Sequence, residues 1–402
     1  MSAYPLLKNA DLTGKKVLLR AGFDVPIEDG KVQDTTRIEA MVPTMKYILD
    51  SRAALIIMAH QGRPKAKVVP EMSQKPLVPV LKQLLGINVD FAERCVGEET
   101  KTKAAALQPG QVLLLENLRF EPGEKQEKDS AFAEQLAALA DIYVNDAFTN
   151  SHRDHASMTG VPKLLPGYLG LQAQQEVENL SKAFDRPGHP VTLIVSGVKM
   201  ETKVPVIENF LTRADHILLG GGIANTFIAA SGYDVGTSLY EEQWVEKAQE
   251  IMLESDSDKN ATVHVPTDAV LATEPAENAV KVDLPVENIA GDMAIYDIGV
   301  RTLEQYLQII QQSRTIVWNG PLGLHEFNRF SHATKRVAEA IAAATKNGAI
   351  SIVGGGDTLD FHERYGYSLE AYTFVSTAGG AMMDFISGKK LPALEVLLKK
   401  SN

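Results

Sequence analysis

Short, continuous apolar runs, each ending in a polar or glycine-rich segment, are the feature that most constrains how this 402-residue chain can fold. They cover residues 16–20, 53–60, 111–117 and 140–148 in the first half, and 191–197, 216–222, 262–265, 315–320 and 349–356 in the second half. Apolar runs of this length without polar alternation are typical of strands buried on both faces, as in a parallel sheet. The runs therefore predict parallel-sheet α/β structure.

Helical periodicity lies between the apolar runs. Val204, Ile207 and Leu211 repeat with helical spacing, as do Leu303 and Leu307. Such stripes are typical of helices that pack one face against a core. The alternation of strands and helices predicts right-handed βαβ units, and hence doubly wound, Rossmann-like domains.

The length of the chain exceeds that of one ordinary hydrophobic core and fits two domains. A polar helical segment and the breaker sequence DRPGHP precede the strand that begins at residue 191. We therefore expect an N-terminal domain at 1–170, a connecting hinge helix at 171–188 and a C-terminal domain at 189–388.

The charge balance and cysteine content exclude several classes of function. A formal net charge of −11 disfavours general binding to nucleic acid or anionic membranes, so an anionic ligand needs a local cationic pocket. Cys95 is the only cysteine, which excludes an intrachain disulfide and a cysteine-rich metal site. We see no transmembrane run and no secretory signal pattern, so we expect a cytoplasmic protein.

Basic side chains follow successive predicted strands in the first half. They are Arg20, Arg37, His60, Arg63, Arg119, His152, Arg153 and His155. Ligands of open α/β sheets bind beyond the carboxyl ends of the strands, and guanidinium groups bind carboxylate and phosphate through paired hydrogen bonds. The pattern predicts a site for a small, multiply charged anion. For His152 and His155 a structural role is an equal alternative, and no zinc-site spacing accompanies them.

Glycine clusters take the place of arginines after the strands of the second half. They lie at 196–199, 220–222, 319–323, 354–358 and 376–380. Glycine lets a ligand approach the backbone closely, and the N-terminus of a following helix favours phosphate. The clusters predict a nucleotide site. The P-loop sequence GxxxxGK[ST] is absent, and no well-placed GxGxxG indicates a dinucleotide enzyme.

Charged side chains accompany the glycine clusters. Lys199 and Lys203 are four residues apart, which places them on one face of a predicted helix. A lysine pair at the start of a helix opposes the dipole preference, so phosphate binding is favoured over a solvated face. Asp357 follows three glycines and is a candidate ligand for magnesium or a contact beside the phosphates.

Together these segments resemble the phosphoglycerate kinase family over nearly the whole chain. The most specific segments are LLLENLRFEPGE, YVNDAF with HRDHAS, WNGPLGLHEF, IVGGGDT and GKKLPALEVL. The resemblance implies reversible in-line phosphoryl transfer from 1,3-bisphosphoglycerate to MgADP, giving 3-phosphoglycerate and MgATP. It also implies a hinge-bending monomer that binds its ligands across an interdomain cleft, with residues 389–402 joining the N-terminal domain.

The resemblance implies binding residues at matching positions. For the phosphorylated acid they are Gly22, Phe23, Asp24, Arg37, His60, Gln61, Gly62, Arg63, Arg119 and Arg153. For the nucleotide they are Gly197, Lys199, Lys203, Gly221, Leu239, Asn319, Gly320, Pro321, Glu326, Gly354, Gly355, Gly356, Asp357 and Thr358. Among the latter, Leu239 corresponds to an adenine contact, Glu326 to the acid that holds the ribose hydroxyls and Asp357 to the magnesium contact.

The resemblance also implies how charge on the moving phosphoryl group is stabilised. The groups that correspond to this role are the side chains of Arg37 and Lys199 and the backbone N–H groups near Gly379 and Gly380. These supply positive charge without a covalent phosphoenzyme.

The chain departs from the usual family pattern at a few positions. Gly22-Phe23-Asp24 stands where the family has Asp-Phe-Asn, so a carboxylate remains but has moved by two residues. Thr202 and Ala378 replace an acid and a glycine. The alternatives are a related kinase for another phosphorylated acid and a non-catalytic nucleotide-binding or scaffold protein.

Overall fold

The computed structural model describes residues 4–125, 130–182, 187–257 and 259–398. Contacts divide the chain into unit 1, Met1–Glu178 with Lys390–Asn402, and unit 2, Asn179–Lys389. Parts of two predicted segments, residues 183–186 of the connecting helix and 399–402 of the C-terminal segment, lie outside the described residues.

Unit 1 is built on a six-stranded parallel sheet with the strand order β5-β6-β4-β1-β7-β8, and it has a small separate hairpin, β2-β3. The strands are β1 (Lys16–Arg20), β2 (Ile27–Glu28), β3 (Lys31–Val32), β4 (Ala54–Met58), β5 (Val89–Ala92), β6 (Val112–Leu115), β7 (Ile142–Asn145) and β8 (Gly167–Leu169). The helices are α1 (Thr36–Glu39), α2 (Val42–Asp50), α3 (Leu77–Leu85), α4 (Glu98–Ala106), α5 (Ser130–Ala137), α6 (Val161–Leu164) and α7 (Leu171–Lys182).

Strand β1 lies between β4 and β7 and pairs in parallel with both, with Val17 opposite Leu55 and Ile142. Its side chains from Val17 to Arg20 are buried. Burial on both faces explains why Val17, Leu18 and Leu19 are all apolar. The carboxyl ends of β1, β4, β6 and β7 meet at one edge of the sheet, and the loops that follow them carry the predicted basic residues.

Unit 2 contains a six-stranded parallel sheet with the order β11-β10-β9-β15-β16-β17 and a three-stranded antiparallel sheet, β13-β12-β14. The strands are β9 (Val191–Val195), β10 (His216–Leu219), β11 (Thr262–His264), β12 (Asp268–Ala272), β13 (Lys281–Pro285), β14 (Ala294–Ile298), β15 (Thr315–Asn319), β16 (Ile350–Gly354) and β17 (Phe374–Ser376). The helices are α8 (Met200–Leu211), α9 (Gly221–Ala230), α10 (Val245–Ser255), α11 (Val300–Gln312), α12 (His332–Lys346), α13 (Gly356–Tyr365) and α14 (Gly380–Ile386), followed by α15 (Pro392–Leu398) of unit 1.

The predicted fold class, two parallel-sheet α/β domains, is confirmed, and each predicted apolar run contains a strand. Apart from β1, which has the predicted bounds, the strands are shorter than the runs, because residues at the ends of a run lie outside the sheet. Strands β5, β8 and β17 and the antiparallel sheet were not predicted. Among the helices of the described residues, none has the length and hydropathy that a membrane span requires.

Candidate active site

Asp24 links the first two loops at the carboxyl edge of the unit 1 sheet. The N–H of Gly62 donates to Oδ1 of Asp24 at 2.9 Å, and Nε2 of His60 lies 3.5 Å from Oδ2. Burial disfavours the ionised carboxyl, but the hydrogen bonds from His60 and Gly62 outweigh it and hold the pKa of Asp24 below its usual range. Asp24 is therefore an ionised hydrogen-bond acceptor at the predicted anion site.

Arg20, at the end of β1, is turned into the protein and is 1% exposed. Its Nε donates to Oγ of Ser157 at 3.0 Å, and its Nη2 lies 3.0 Å from Nδ1 of His60. Ser157 Oγ donates in turn to the fully buried Glu124 at 2.6 Å. Ser157 thereby connects the buried guanidinium to a buried carboxylate. Arg20 also holds the ring of His60 on the side facing the protein interior. Sequence reasoning missed Glu124 and Ser157, whose roles depend on Arg20 pointing inward.

His60 is neutral at pH 7 in this environment. A guanidinium group only donates hydrogen bonds, so Nδ1 of His60 accepts from Arg20 and the ring proton lies on Nε2, toward Asp24. Burial lowers the pKa of His60 to about 4, and the hydrogen bond to Asp24 offsets this only in part. His60 therefore offers a hydrogen bond to the site rather than positive charge.

Asn117 fixes the loops after β4 and β6, although sequence reasoning did not single it out. Its Nδ2 donates to the carbonyl of Gln61 at 2.8 Å, and its Oδ1 accepts from the N–H of Arg119 at 3.0 Å. The guanidinium of Arg119 donates from Nη1 to the carbonyl of Gly62 at 2.6 Å. The only sequence signal for Asn117 was its position at the end of the apolar run, directly before Leu-Arg-Phe. Asn117 thereby determines where Arg119 lies.

The other predicted cations of unit 1 differ in their surroundings. Arg37 is exposed, and its Nη1 donates to the backbone carbonyl of Asp24. Arg63 and Arg153 are also exposed. Burial lowers the pKa of Arg119, and the neighbouring positive charges, Arg153 among them, lower it further. These guanidinium groups are thus available at the same edge of the sheet as Asp24.

Some predicted contacts of unit 1 face inward instead. Phe23 is fully buried in the hydrophobic core, and Gln61 is 6% exposed and hydrogen-bonded to the backbone of Val25. A Cβ atom at Gly22 would lie 2.9 Å from Cε of Met41, so any larger residue there requires Met41 to move. The side chains of Phe23 and Gln61 therefore support the loops from within.

His155 contacts the interior as well. Its Nδ1 lies 3.7 Å from Oε1 of the buried Glu124. This contact favours the structural alternative for His155.

Unit 2 contains a cavity of about 390 Å³. The predicted nucleotide residues that line it are Gly197, Gly221, Leu239, Pro321, Glu326 and Asp357. Leu239 is 63% exposed, and its carbonyl accepts a hydrogen bond from Nδ2 of Asn225 at 3.0 Å. An exposed apolar side chain at a cavity wall suits a flat apolar ring, and the volume lies within the usual range for small-molecule sites.

Two of the glycines predicted for the nucleotide are required by neighbouring loops. Gly221 has φ +60°, and a Cβ atom there would lie 2.7 Å from Oγ of Ser196. Gly320 has φ +100°, and its Cβ atom would lie 2.7 Å from the carbonyl oxygen of Ser196. Both positions therefore need glycine for its positive φ and for the close packing of loops. At Gly320, the close neighbour is the backbone of Ser196.

Buried polar groups join the ends of β15 and β16. Asn319 Nδ2 donates to the carbonyl of Gly354 at 2.9 Å, and Thr358 Oγ1 accepts from the N–H of Gly320 at 2.9 Å. Asn319 is 2% exposed and Thr358 is fully buried, so both hold the loops together. Gly355 and Gly356, also predicted for the nucleotide, form the turn into α13.

The two predicted phosphate lysines have different environments. Lys203 Nζ donates to Oδ1 of Asn319, and burial lowers its pKa to about 8, against an opposing contribution from Asp357. Lys199 precedes α8 with an extended backbone, φ −91° and ψ 105°, and is exposed. The prediction that the two lysines share one face of a helix is therefore wrong, because the helix begins at Met200.

Residues that the sequence did not indicate complete the cavity. Tyr296 and Asp297 lie on β14 of the antiparallel sheet, and His325 lies beside Glu326. Burial raises the pKa of Asp297 to about 7, although it accepts hydrogen bonds from the N–H groups of Ala333 and Ile298. Tyr296 and Asp297 carried no recognisable signal because the antiparallel sheet itself was not predicted.

Metal ligands are sparse in this unit. The described residues contain no group of three or more His, Cys, Asp or Glu side chains that would hold a metal ion by themselves. Asp357 lies in the first turn of α13 and lines the cavity. Protein-bound Mg²⁺ commonly takes one or two carboxylates and completes its shell with phosphates and water. Asp357 therefore fits a magnesium ion that arrives with a nucleotide.

Comparisons with known proteins agree with this geometry. The family model "PGK: Phosphoglycerate kinase" matches residues 7–389. The phosphoglycerate kinase of Moorella thermoacetica is 44% identical over 394 residues, which cover 98% of this chain and 99% of that protein. A phosphoglycerate kinase of Methylorubrum extorquens is 44% identical over 387 residues, with 96% of each chain covered.

Solved structures give the same result. The phosphoglycerate kinase structure from Coxiella burnetii matches with a TM-score of 0.92 and 35% identity, covering 99% of this chain and 100% of that chain. The enzyme from Pyrococcus horikoshii matches with a TM-score of 0.82 and 32% identity, covering 98% of each. Because these matches span nearly the whole chain, the protein belongs to the phosphoglycerate kinase family and is a phosphotransferase of glycolysis with a carboxyl group as acceptor.

Proposed function

We propose that unit 1 binds 3-phosphoglycerate or 1,3-bisphosphoglycerate and that unit 2 binds ADP or ATP with Mg²⁺. The phosphoryl group passes directly from one bound substrate to the other. The observation that carries this proposal is the gathering of Arg37, Arg119 and Arg153 near Asp24 in a chain whose net charge is −11. In an acidic protein, such a local excess of guanidinium groups has a clear use in binding a small, multiply charged anion.

The neighbourhood of Asp24 also suits a hydroxyl group. Guanidinium groups donate to phosphate and carboxylate, whereas the ionised Asp24 only accepts. We assign Arg37, Arg63, Arg119 and Arg153 to the anionic groups of the acid. We assign Asp24, oriented by His60 and the N–H of Gly62, to its hydroxyl.

In unit 2 the proposed contacts follow the nucleotide from end to end. Leu239 packs against the base, Glu326 accepts from the ribose hydroxyls, and Lys199 and Lys203 bind the phosphates. Asp357 is the proposed protein ligand of Mg²⁺. We assign the N–H groups near Gly379 and Gly380, where α14 begins, to the phosphoryl group.

The proposed reaction requires no protein nucleophile. A β-phosphate oxygen of ADP forms the new bond to phosphorus, while the bond between phosphorus and the acyl oxygen breaks and the carboxylate leaves. Bound Mg²⁺ would neutralise charge on the nucleotide phosphates. We assign Arg37 and Lys199 to the charge on the oxygens of the moving group, because both side chains are exposed.

A coupled assay of the purified protein tests this function. With 3-phosphoglycerate and MgATP, we expect formation of 1,3-bisphosphoglycerate, which glyceraldehyde-3-phosphate dehydrogenase reduces with oxidation of NADH. Other phosphorylated acids in the same assay serve as controls and should give little turnover. Binding of MgATP without NADH oxidation would contradict the assignment of the acid substrate.

We further propose a cytoplasmic monomer without nucleic-acid or membrane partners.

The environment of Lys203 predicts a pH dependence of nucleotide binding. Since burial lowers its pKa to about 8 in the free protein, its ammonium loses a proton as the pH rises through that value. A bound phosphate favours the charged form, so binding takes up a proton at high pH. We expect MgADP affinity to fall roughly 10-fold between about pH 7 and pH 9.

Titration calorimetry in two buffers with different ionisation enthalpies measures both the affinity and the proton uptake. The control is Lys203→Met, which should bind MgADP more weakly and with little dependence on pH. A variant that keeps the full pH dependence would show that another group is responsible.

A further inference from the structure

His325 is a buried ionisable side chain of the nucleotide cavity to which the proposed mechanism gives no role. It is 4% exposed and lies directly before Glu326. Its Nδ1 lies 3.4 Å from Oε2 of Glu326, and its Nε2 lies 2.9 Å from Oδ2 of Asp360. One imidazole therefore bridges two carboxylates, of which one is the proposed ribose ligand.

The two carboxylates determine how the imidazole can bind them. An ionised carboxylate only accepts hydrogen bonds, so Nε2–H of His325 donates to Asp360. The Nδ1 edge of the same ring faces Oε2 of Glu326 at 3.4 Å, so a ring held by Asp360 limits where the carboxylate of Glu326 can lie. On the outer side, Nε of Arg364 lies 3.3 Å from the same oxygen of Asp360. This arrangement holds the ring in one orientation.

Helix α13 anchors the loop that carries His325 at further points. Tyr365 Oη donates to the carbonyl of His325 at 2.7 Å, and Oγ1 of Thr358 accepts from the N–H of Gly320 at 2.9 Å. The same helix carries Asp357, the proposed magnesium ligand, in its first turn. The loop that carries Glu326 is therefore hydrogen-bonded to α13, the helix that carries the proposed magnesium ligand.

We propose that His325 is a positioning residue which, held by Asp360, orients the carboxylate of Glu326 toward the ribose hydroxyls of the nucleotide. This inference rests on the proposed function, which assigns Glu326 to the ribose. Selectivity for nucleotides with free ribose hydroxyls then depends on a side chain that does not contact them.

Titration calorimetry with MgADP and with the magnesium complex of 2′,3′-dideoxy-ADP tests the proposal on the full chain. His325→Gln keeps a donor for Asp360 but lacks Nδ1, and should weaken MgADP binding roughly 5- to 10-fold. Binding of the dideoxy nucleotide should change less than about 2-fold, because it offers no ribose hydroxyl to Glu326. Glu326→Gln should show the same selective loss, and the double variant should lose no more than either single variant.

Asp360→Asn is a second variant, at a half-exposed position where the fold should tolerate it, and should show a smaller loss of the same selective kind. Glu363→Gln, an exposed carboxylate on the same helix, is the matched control and should bind both nucleotides like the unmodified protein. Equal losses for both nucleotides in His325→Gln, or no loss, would overturn the proposal. Lack of turnover by the unmodified protein in the coupled assay would instead count against the proposed function.

Discussion

Replacing Lys199 with alanine is expected to lower kcat roughly 100- to 1,000-fold and to raise the KM for MgATP by a much smaller factor. The reason lies in its environment: Lys199 is exposed, it precedes α8 in extended backbone, and no described residue forms a hydrogen bond or ion pair with its ammonium group. Its charge is therefore free to meet charge that develops during transfer. Loss of that interaction affects the transition state more than the ground state.

Steady-state kinetics in the coupled assay measure this effect. Lys346→Ala, an exposed lysine in the last turn of α12 and away from the cavity, is the control and should leave kcat unchanged. Thermal unfolding should be the same for both variants, because neither side chain is buried. A raised KM for MgATP with an unchanged kcat would mean that Lys199 only binds the nucleotide.

Replacing Arg37 with alanine is expected to lower kcat by a similar factor, roughly 100-fold, and also to raise the KM for 3-phosphoglycerate. The guanidinium is exposed, and its Nη1 donates to the backbone carbonyl of Asp24, so it both presents charge and steadies the loop after β1. Nucleotide affinity should not change, since the proposed nucleotide contacts lie in unit 2.

Arg37→Lys separates charge from geometry. Lysine keeps the charge but lacks the paired donors of a guanidinium group, so we expect it to restore only a small part of the activity. Arg94→Ala, at an exposed position outside the site, serves as the control. Full activity in Arg37→Lys would show that charge alone suffices, and full activity in Arg37→Ala would remove Arg37 from the mechanism.

The apolar runs predicted the strands at the centre of both parallel sheets because burial on two faces requires continuous apolar sequence. Four of the missed strands lie where this requirement relaxes. β5 has an exposed Asp90 at the edge of its sheet, β8 and β17 have three residues each, and β13 consists of exposed and half-buried positions. Because the antiparallel sheet was not predicted, the cavity wall that carries Tyr296 and Asp297 was not predicted either.

The site, like the strands, was predicted only in part. Parallel strands present their carboxyl ends at one edge, so the order of strands and loops was enough to predict which loops meet. It was not enough to predict which side chains point outward. Arg20 and Phe23 are buried, and Asn319 and Thr358 join two loops rather than lying open to a ligand.

Apolar periodicity and local motifs were sufficient to predict the α/β architecture, the family and the loops that gather at each sheet edge. The chemical state of the groups in those loops depends on the folded structure. Burial beside Arg20 makes His60 neutral, and burial lowers the pKa of Lys203. The placement of His325 between Glu326 and Asp360 likewise depends on segments distant in sequence. Desolvation and distances between charges arise only when the folded chain brings such segments together.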